Sequence, residues 1–116
     1  MGVNRDDYVI FGWKLPDNFK TDDGVDFEEA MADDWEMYDR IMEDCDEEYE
    51  FIRDGMNGEY IVFGKVLAYG EEYEGLGFTV VETDNLYIDA LKKKVKKVLN
   101  YTPDTEPKVI AFTHWH

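Results

Sequence analysis

The chain of 116 residues carries 28 acidic and 12 basic side chains, so its formal net charge at pH 7 is −16. A field of that sign repels nucleic acid and anionic membrane surfaces, and it attracts basic partners. With 44% hydrophobic and 16% aromatic residues, the chain has enough apolar surface to offset the entropy of ordering. We therefore expect one folded domain over residues 1–116 that contacts neither nucleic acid nor membrane directly.

Cys45 is the only cysteine, which excludes an intramolecular disulfide and a secreted disulfide scaffold. The first seven residues lack the apolar run of a signal peptide, and no apolar stretch reaches the roughly 18 residues of a membrane-spanning helix. These features predict a cytoplasmic protein. Acidic neighbours in the sequence oppose thiolate formation at Cys45, so we expect a buried core thiol and not a nucleophile.

Four stretches have the composition of strands, and they cover residues 8–15, 60–68, 78–83 and 109–115. All are rich in β-branched and aromatic side chains, and the short Gly-containing loop 69–75 predicts that the second and third form a hairpin. The strands do not alternate cleanly between apolar and polar residues. A sheet covered on one face only would therefore expose an aromatic face, unless loops or the long helix described next cover it.

A long helix is predicted between the first two strands. Asp26 and Glu29 have the spacing of a capping box, which marks a helix start. No Gly or Pro interrupts residues 25–53, and the apolar residues there recur at steps of three or four, as on one stripe of a helix. The stripe consists of Phe27, Met31, Trp35, Tyr38, Met42, Cys45, Tyr49 and Ile52. The helix would be about 40 Å long, which is compatible with a break near its middle, and stretch 54–58 would end it.

A second helix is predicted over Leu86–Leu99, with Asp84 or Asn85 as its N-cap. Five lysines crowd its exposed face, and we expect them to pair with acids of the neighbouring helix or to be solvated. The element order β-α-β-β-α-β is that of the ferredoxin-like, or split βαβ, arrangement. The predicted fold is thus α+β, an antiparallel sheet with two helices on one face, of which the first is long and acidic.

The negative charge is a local feature of the first predicted helix and its flanks. Residues 17–54 contain seventeen acidic and three basic side chains, a balance of −14, and the rest of the chain is close to neutral. On a helix, carboxylates three or four residues apart form a row opposite the apolar stripe. The candidate partner-binding residues are Glu29, Asp33, Glu36, Asp39, Glu43, Asp44, Glu47 and Glu50.

Three interpretations of this acidic row remain open. The first is a solvated face without a partner. Like charges at these spacings destabilise a helix by roughly 1–2 kcal/mol in total, and a solvated face could avoid this cost by including lysines. The second is binding to a basic surface. Carboxylates about 6 Å apart match the separation of successive DNA phosphates, so the row fits a nucleic-acid-binding groove of another protein. The third interpretation is divalent cation binding, but no EF-hand spacing is present, so no metal site is predicted.

No pattern in the sequence indicates catalysis or a cofactor. His114 and His116 would lie on one face of the last strand, but a third metal ligand is missing, so we expect aromatic packing there. The glycines at positions 70, 75 and 77 do not match a phosphate-binding loop. The sequence therefore predicts neither an enzyme nor a bound cofactor.

In its size, charge and placement of charge, the chain resembles the small acidic proteins that bacteriophages and other mobile elements encode to block host nucleic-acid-binding proteins. That group includes DNA mimics, anti-restriction proteins and anti-CRISPRs. The resemblance implies a non-enzymatic protein whose acidic helix docks on a basic surface of such a host protein. The alternative is a structural or assembly protein that self-associates, for example as a homodimer, through the aromatic sheet face.

Overall fold

The computed structural model describes residues 5–16, 18–54, 60–71, 74–84 and 86–115. They form four strands and three helices, in the order β1 (Arg5–Leu15), α1 (Phe27–Asp33), α2 (Met37–Cys45), β2 (Tyr49–Arg53), β3 (Ile61–Gly70), α3 (Ile88–Leu99) and β4 (Lys108–Trp115). The strands make one antiparallel sheet of order β2-β3-β1-β4. The predicted α+β class with an antiparallel sheet is confirmed. Within the described ranges, every helix is too short or too polar to cross a membrane.

Three predicted strands and the second helix are confirmed with small shifts in their bounds, as β1, β3, β4 and α3. The predicted strand 78–83 is wrong, because this segment has no regular secondary structure and Phe78 and Val80 are exposed. A strand needs a neighbour that satisfies its backbone groups. In the sheet, the partner of β3 in the hairpin is instead β2, which precedes it in the chain.

The prediction of one helix over residues 25–53 is wrong, although its start is confirmed. Asp26 caps α1, and its side chain accepts a hydrogen bond from the backbone N–H of Glu29. The helix then breaks at residues 34–36, resumes as α2 and ends at Cys45. The predicted stop at 54–58 is therefore not the end of a helix, and residues 55–59 lie outside the described part of the chain.

Asp34 accounts for the break between α1 and α2. Its backbone is extended (φ −130°, ψ 93°), so the helical path stops there. One oxygen of its carboxylate accepts from the backbone N–H of Glu36, and the other pairs with Arg40 at 2.6 Å. An Asp side chain that binds nearby backbone groups competes with the helical hydrogen bonds, and this competition ends α1.

The end of α2 follows from charge and from packing. Asp46 adopts φ 59° and its backbone N–H returns to the carbonyl of Glu43, which closes the last turn. Continuing the helix would add repulsion among carboxylates three and four residues apart. In β2, by contrast, Tyr49 stacks on Phe63 with ring centroids 6.1 Å apart, and Phe51 is buried opposite the same residue. The alternation of a strand thus brings Tyr49 and Phe51 to the same face, whereas a helical stripe through Tyr49 would leave Phe51 outside it.

The main core lies between one face of the sheet and the helices. Alternate residues of β1, namely Phe11, Trp13 and Leu15, are buried in one cluster with Phe63 of β3. The helices supply the other half of this cluster through Phe27, Ile41, Cys45, Leu91, Val95, Val98 and Leu99. All three helices therefore bury their apolar residues against the same face of the sheet.

The opposite face of the sheet is concave, and its side chains pack on one another. Ile10, Ile52 and Val62 are buried there in a second cluster, which among the described residues includes no helical side chain. Their neighbours Tyr60 and Phe112 pack with ring centroids 5.8 Å apart. These two rings are attached at opposite ends of β1: Tyr60 precedes Ile61, the partner of Leu15, and Phe112 is the partner of Tyr8. Leu15 and Tyr8 are seven residues apart, which is roughly 23 Å along a straight strand. The strands must therefore bend, which makes this face concave.

Helix α3 runs from Ile88 to Leu99. Its N-cap residue is Tyr87, whose side chain makes no capping hydrogen bond, and its C-cap residue is Asn100 in the left-handed conformation. The predicted cap at Asp84 is thus wrong, and Asn85 lies outside the described residues. Three of the five lysines on α3 form ion pairs with acids that follow α2 or lie in loops: Lys92 with Glu106, Lys94 with Asp46 and Lys96 with Asp22. Two of these pairs join α3 to the acidic part of the chain, although none of the three uses an acid within the neighbouring helix, where partners were expected.

Candidate functional site

The acidic segment of α1, the break and α2 is a surface feature of the folded protein. Of the eight predicted partner-binding residues, six are exposed and Asp44 is partly exposed; the six are Glu29, Asp33, Glu36, Asp39, Glu43 and Glu47. They do not form one helical row, because Asp33 ends α1, Glu36 precedes α2 and Glu47 follows it. We call these seven residues the acidic surface. The eighth residue, Glu50, lies elsewhere, as described below.

The acids of residues 17–54 differ in whether they form ion pairs. Four of them pair with cations, namely Asp22, Glu28, Asp34 and Asp46. Their partners lower the pKa of Asp22, Asp34 and Asp46, mainly through hydrogen bonds from the cationic side chains. Among the described residues, no ion pair involves a member of the acidic surface. The fold thus uses one group of carboxylates for its own contacts and leaves the other to solvent.

Trp35 lies at the break between the two acidic helices and is 80% exposed. Sequence periodicity places it on the buried stripe, but the extended backbone of Asp34 turns it outward. Tyr38, one turn later, is also exposed, and its ring meets that of the core residue Phe51 in an edge-to-face arrangement. A tryptophan contributes a large apolar area when a partner covers it. The sequence does contain a signal for this break, namely Asp34 directly before Trp35, because Asp favours helix ends.

Glu50 does not belong to the acidic surface. It lies on β2 opposite Gly64, and the alternation of the strand places it on the concave face. Burial raises the pKa of its carboxyl. Its charge, after the larger effect of burial, also raises the pKa of Tyr8. Only the expected placement of Glu50 on the acidic helix is wrong, because β2 is a strand and not the last turns of a helix.

The cysteine and the described histidine, two residue types common in catalytic and metal sites, make structural contacts in this fold. Cys45 is buried in the core as predicted, and burial, followed by the charge of Glu50, raises the pKa of its thiol to about 11. His114 shares a hydrogen bond with the hydroxyl of Tyr60, with 2.9 Å between His114 Nδ1 and the oxygen. His116 lies outside the described residues. Within the described ranges, no three His, Cys, Asp or Glu side chains are grouped to hold a metal ion.

An open groove lies beside β2, where the concave face meets α2. Tyr8, Tyr38, Met42, Glu50 and His114 are among its lining residues. The thiol of Cys45 is absent from this lining, and His114 is oriented by Tyr60. The groove therefore brings together aromatic, thioether, imidazole and carboxyl groups.

Comparison with families of known proteins, with curated proteins and with solved structures found no significant match. The acidic surface and its exposed tryptophan are therefore interpreted from their own geometry.

Proposed function

We propose that the protein is a non-enzymatic binding protein whose acidic surface docks on a basic surface of a nucleic-acid-binding protein. The observation that carries this proposal is an exposed Trp35 flanked along the chain by acids without ion-pair partners, Asp33 and Glu36. A basic groove neutralises the carboxylates, while burial of the indole supplies affinity that charge alone does not. The protein then acts as a DNA mimic or inhibitor, of the kind that phages use against restriction or CRISPR systems, in the cytoplasm.

Pairing within the fold supports this proposal over a merely solvated face. Lys94 pairs with Asp46 and Lys96 pairs with Asp22, and neither acid belongs to the acidic surface. The lysines of α3 therefore do not neutralise the acidic surface through these pairs. In the described part of the chain the seven carboxylates of the acidic surface form no ion pair, so a basic partner can pair with them, and their charge raises the rate of association through long-range attraction. Their number also implies a strong dependence of binding on salt concentration.

The finer fold assignment belongs to the same proposal. The strand order β2-β3-β1-β4, with every adjacent pair antiparallel, supports a split βαβ, or ferredoxin-like, arrangement in which α1 and α2 together take the place of the first helix. The alternative function, self-association through an aromatic sheet face, has less support. Tyr8, Tyr60 and Phe112 pack on one another on the concave face, so little of that face is available to a partner.

The test compares two variants of equal charge. One neutralises part of the acidic surface (E29Q/D33N/E36Q/E43Q/E47Q), and the other neutralises five exposed acids elsewhere (E71Q/E74Q/D84N/D89N/D104N). Each changes the net charge from −16 to −11. The unaltered protein, immobilised, first captures partners from an extract of the encoding organism at low salt. A captured nucleic-acid-binding protein is then purified, and its Kd for each variant is measured at several salt concentrations.

We expect the first variant to bind at least roughly tenfold more weakly, equivalent to about 1.4 kcal/mol, and the second to bind nearly as well as the unaltered protein. Duplex DNA or RNA should displace the protein from the partner. The first variant should fold with equal or greater stability, because repulsion between like charges is removed. Equal weakening by both variants, failure of nucleic acid to compete, or capture of no basic protein would overturn the proposal.

A further inference from the structure

The segment Phe78–Thr83 has the sequence of a strand, but the described part of the chain gives it no strand partner. Its residues Phe-Thr-Val-Val-Glu-Thr are almost all β-branched or aromatic. Phe78 is fully exposed and Val80 is 84% exposed. Burying side chains of these types is favourable, and the monomer forgoes this gain.

The edge strand β4 offers the complementary surface. Among the described residues it pairs only with β1, so its outer edge presents a row of backbone groups over eight residues. Its convex side is only partly covered by the described residues, since Val109 and Trp115 remain about half exposed. A long, uncovered edge of this kind is a template for an added strand.

We propose that Phe78–Thr83 of one copy adds as an antiparallel strand to the outer edge of β4 in a second copy, and that the reciprocal contact closes a two-fold dimer. Charge and side-chain period select the register. When Glu82 lies opposite Lys108, Val80 lies opposite Ile110 and Phe78 lies opposite Phe112. Opposite charges and paired apolar residues at directly facing positions stabilise such a ladder.

In this register the new strand extends the concave apolar face. Ile110 and Phe112 are only partly buried at the margin of that face, and Val80 and Phe78 continue it. A slip of one residue sends Phe78 and Val80 to the convex side and separates Glu82 from Lys108. The alternation therefore favours one register over its neighbours.

A second copy is the occupant that the charge distribution favours. Residues 76–84 contain two acids and residues 108–115 contain one lysine and one histidine, so the contact is nearly neutral. The charge of −14 lies in residues 17–54, outside both contacting segments. A strongly basic partner is drawn to that acidic part, and the edge of β4 remains for a neutral, self-complementary contact.

Dimerisation is independent of the proposed function, and its strength should depend on salt in the opposite direction to that of binding to a basic partner. Two chains of charge −16 repel each other, and salt screens this repulsion, so dimerisation should strengthen as salt is added. Docking on a basic partner should weaken under the same change. Each proposal can therefore fail while the other stands.

Light scattering during size-exclusion chromatography, over protein concentrations from about 1 to 500 μM, tests the assembly. We expect a concentration-dependent dimer that is favoured by salt. V81P, which removes a strand N–H that faces β4 in this register, and F78S/V80S, which removes the apolar side chains, should both be monomers with unchanged thermal unfolding at low concentration. A monomer at every concentration, or a dimer that both variants preserve, would overturn the proposal.

Two further measurements test the register. Chains carrying T79C are mixed with chains carrying A111C, and oxidation should yield the mixed disulfide in preference to one formed between T79C and T102C chains. The charge exchange E82K should weaken the dimer several-fold, and E82K/K108E should restore it. Absence of the preferred disulfide together with no recovery in the double variant would contradict the register.

Discussion

Gly12 of β1 and Gly64 of β3 are direct partners in the sheet, and the two backbones approach more closely there than side chains permit. A Cβ atom on Gly12 would lie 2.0 Å from the carbonyl oxygen of Phe63 and 2.6 Å from Cα of Gly64. A Cβ atom on Gly64 would lie 2.4 Å from the carbonyl oxygen of Phe11. Since both clashes involve backbone, the pair of glycines makes the close approach possible and with it the bend of the sheet.

The variant G12A should therefore lose stability. Its Cβ has no space unless β1 and β3 separate, and overpacking against backbone costs roughly 2–4 kcal/mol. G24A is the control, because a Cβ there meets nothing within 4 Å and only its φ of 80° opposes the change. We expect about 1 kcal/mol for this control. Urea unfolding measures both, and equal losses would contradict a special role for the glycine pair.

Neutralising Glu50 should raise stability at neutral pH. Burial raises the pKa of this carboxyl, so the folded protein binds its proton more tightly than the unfolded chain does. The benefit is present below the unfolded pKa and is lost as pH rises through the folded pKa, where the buried charge opposes folding. E50Q should thus unfold at higher urea concentration than the unaltered protein at pH 7, and this difference should shrink towards pH 4.

The exposed neighbour Glu48 provides the control for E50Q. Removing its charge relieves repulsion within the acidic segment without removing a buried carboxylate. E48Q should therefore give a smaller gain at pH 7. If E48Q and E50Q raised the free energy of unfolding equally, general repulsion and not burial would explain the gain.

Lys94 should contribute more to stability than its neighbour Lys93. The ammonium of Lys94 lies 5.3 Å from the centre of the Tyr49 ring and 2.8 Å from Asp46 Oδ2, and its side chain is mostly buried. K94A should lower the free energy of unfolding by about 1 kcal/mol through loss of the ring contact and of packing by the alkyl chain. K93A, at an exposed position, should change it by less than about 0.5 kcal/mol. Thermal and urea unfolding of both variants measure the difference.

Trp35 should contribute the largest share of the fluorescence that acrylamide can quench, because it is 80% exposed while Trp115 is 49% exposed and Trp13 is buried. Trp13 is buried and its indole N–H donates to the carbonyl of Thr105 at 2.9 Å, whereas Trp35 is largely in solvent. W35F should therefore remove a large share of the quenchable emission, and W13F should mainly remove emission that resists quenching. A quenching curve unchanged by W35F would show that this side chain is covered, as a continuous helix would require.

Much of the framework could be predicted from local sequence pattern. The strands β1, β3 and β4 and the helix α3 follow from runs of β-branched and aromatic residues and from helical periodicity. The position of Cys45 in the core and the confinement of charge to residues 17–54 follow in the same way. These features depend on neighbouring residues, so a pattern in the chain is enough to indicate them.

Tertiary contacts decided the rest. Tyr49, Phe51 and Arg53 alternate as in a strand while Tyr49 and Ile52 also continue a helical stripe, and only the pairing of β2 with β3 selects the strand. Phe78–Thr83 has strand-forming residues but no described neighbour to satisfy its backbone, so it stays irregular in the single chain. The sequence by itself therefore determined where the acid is concentrated. The break at Asp34 and the strand β2 decided which carboxylates face solvent, because hydrogen bonding and burial depend on residues far apart in the chain.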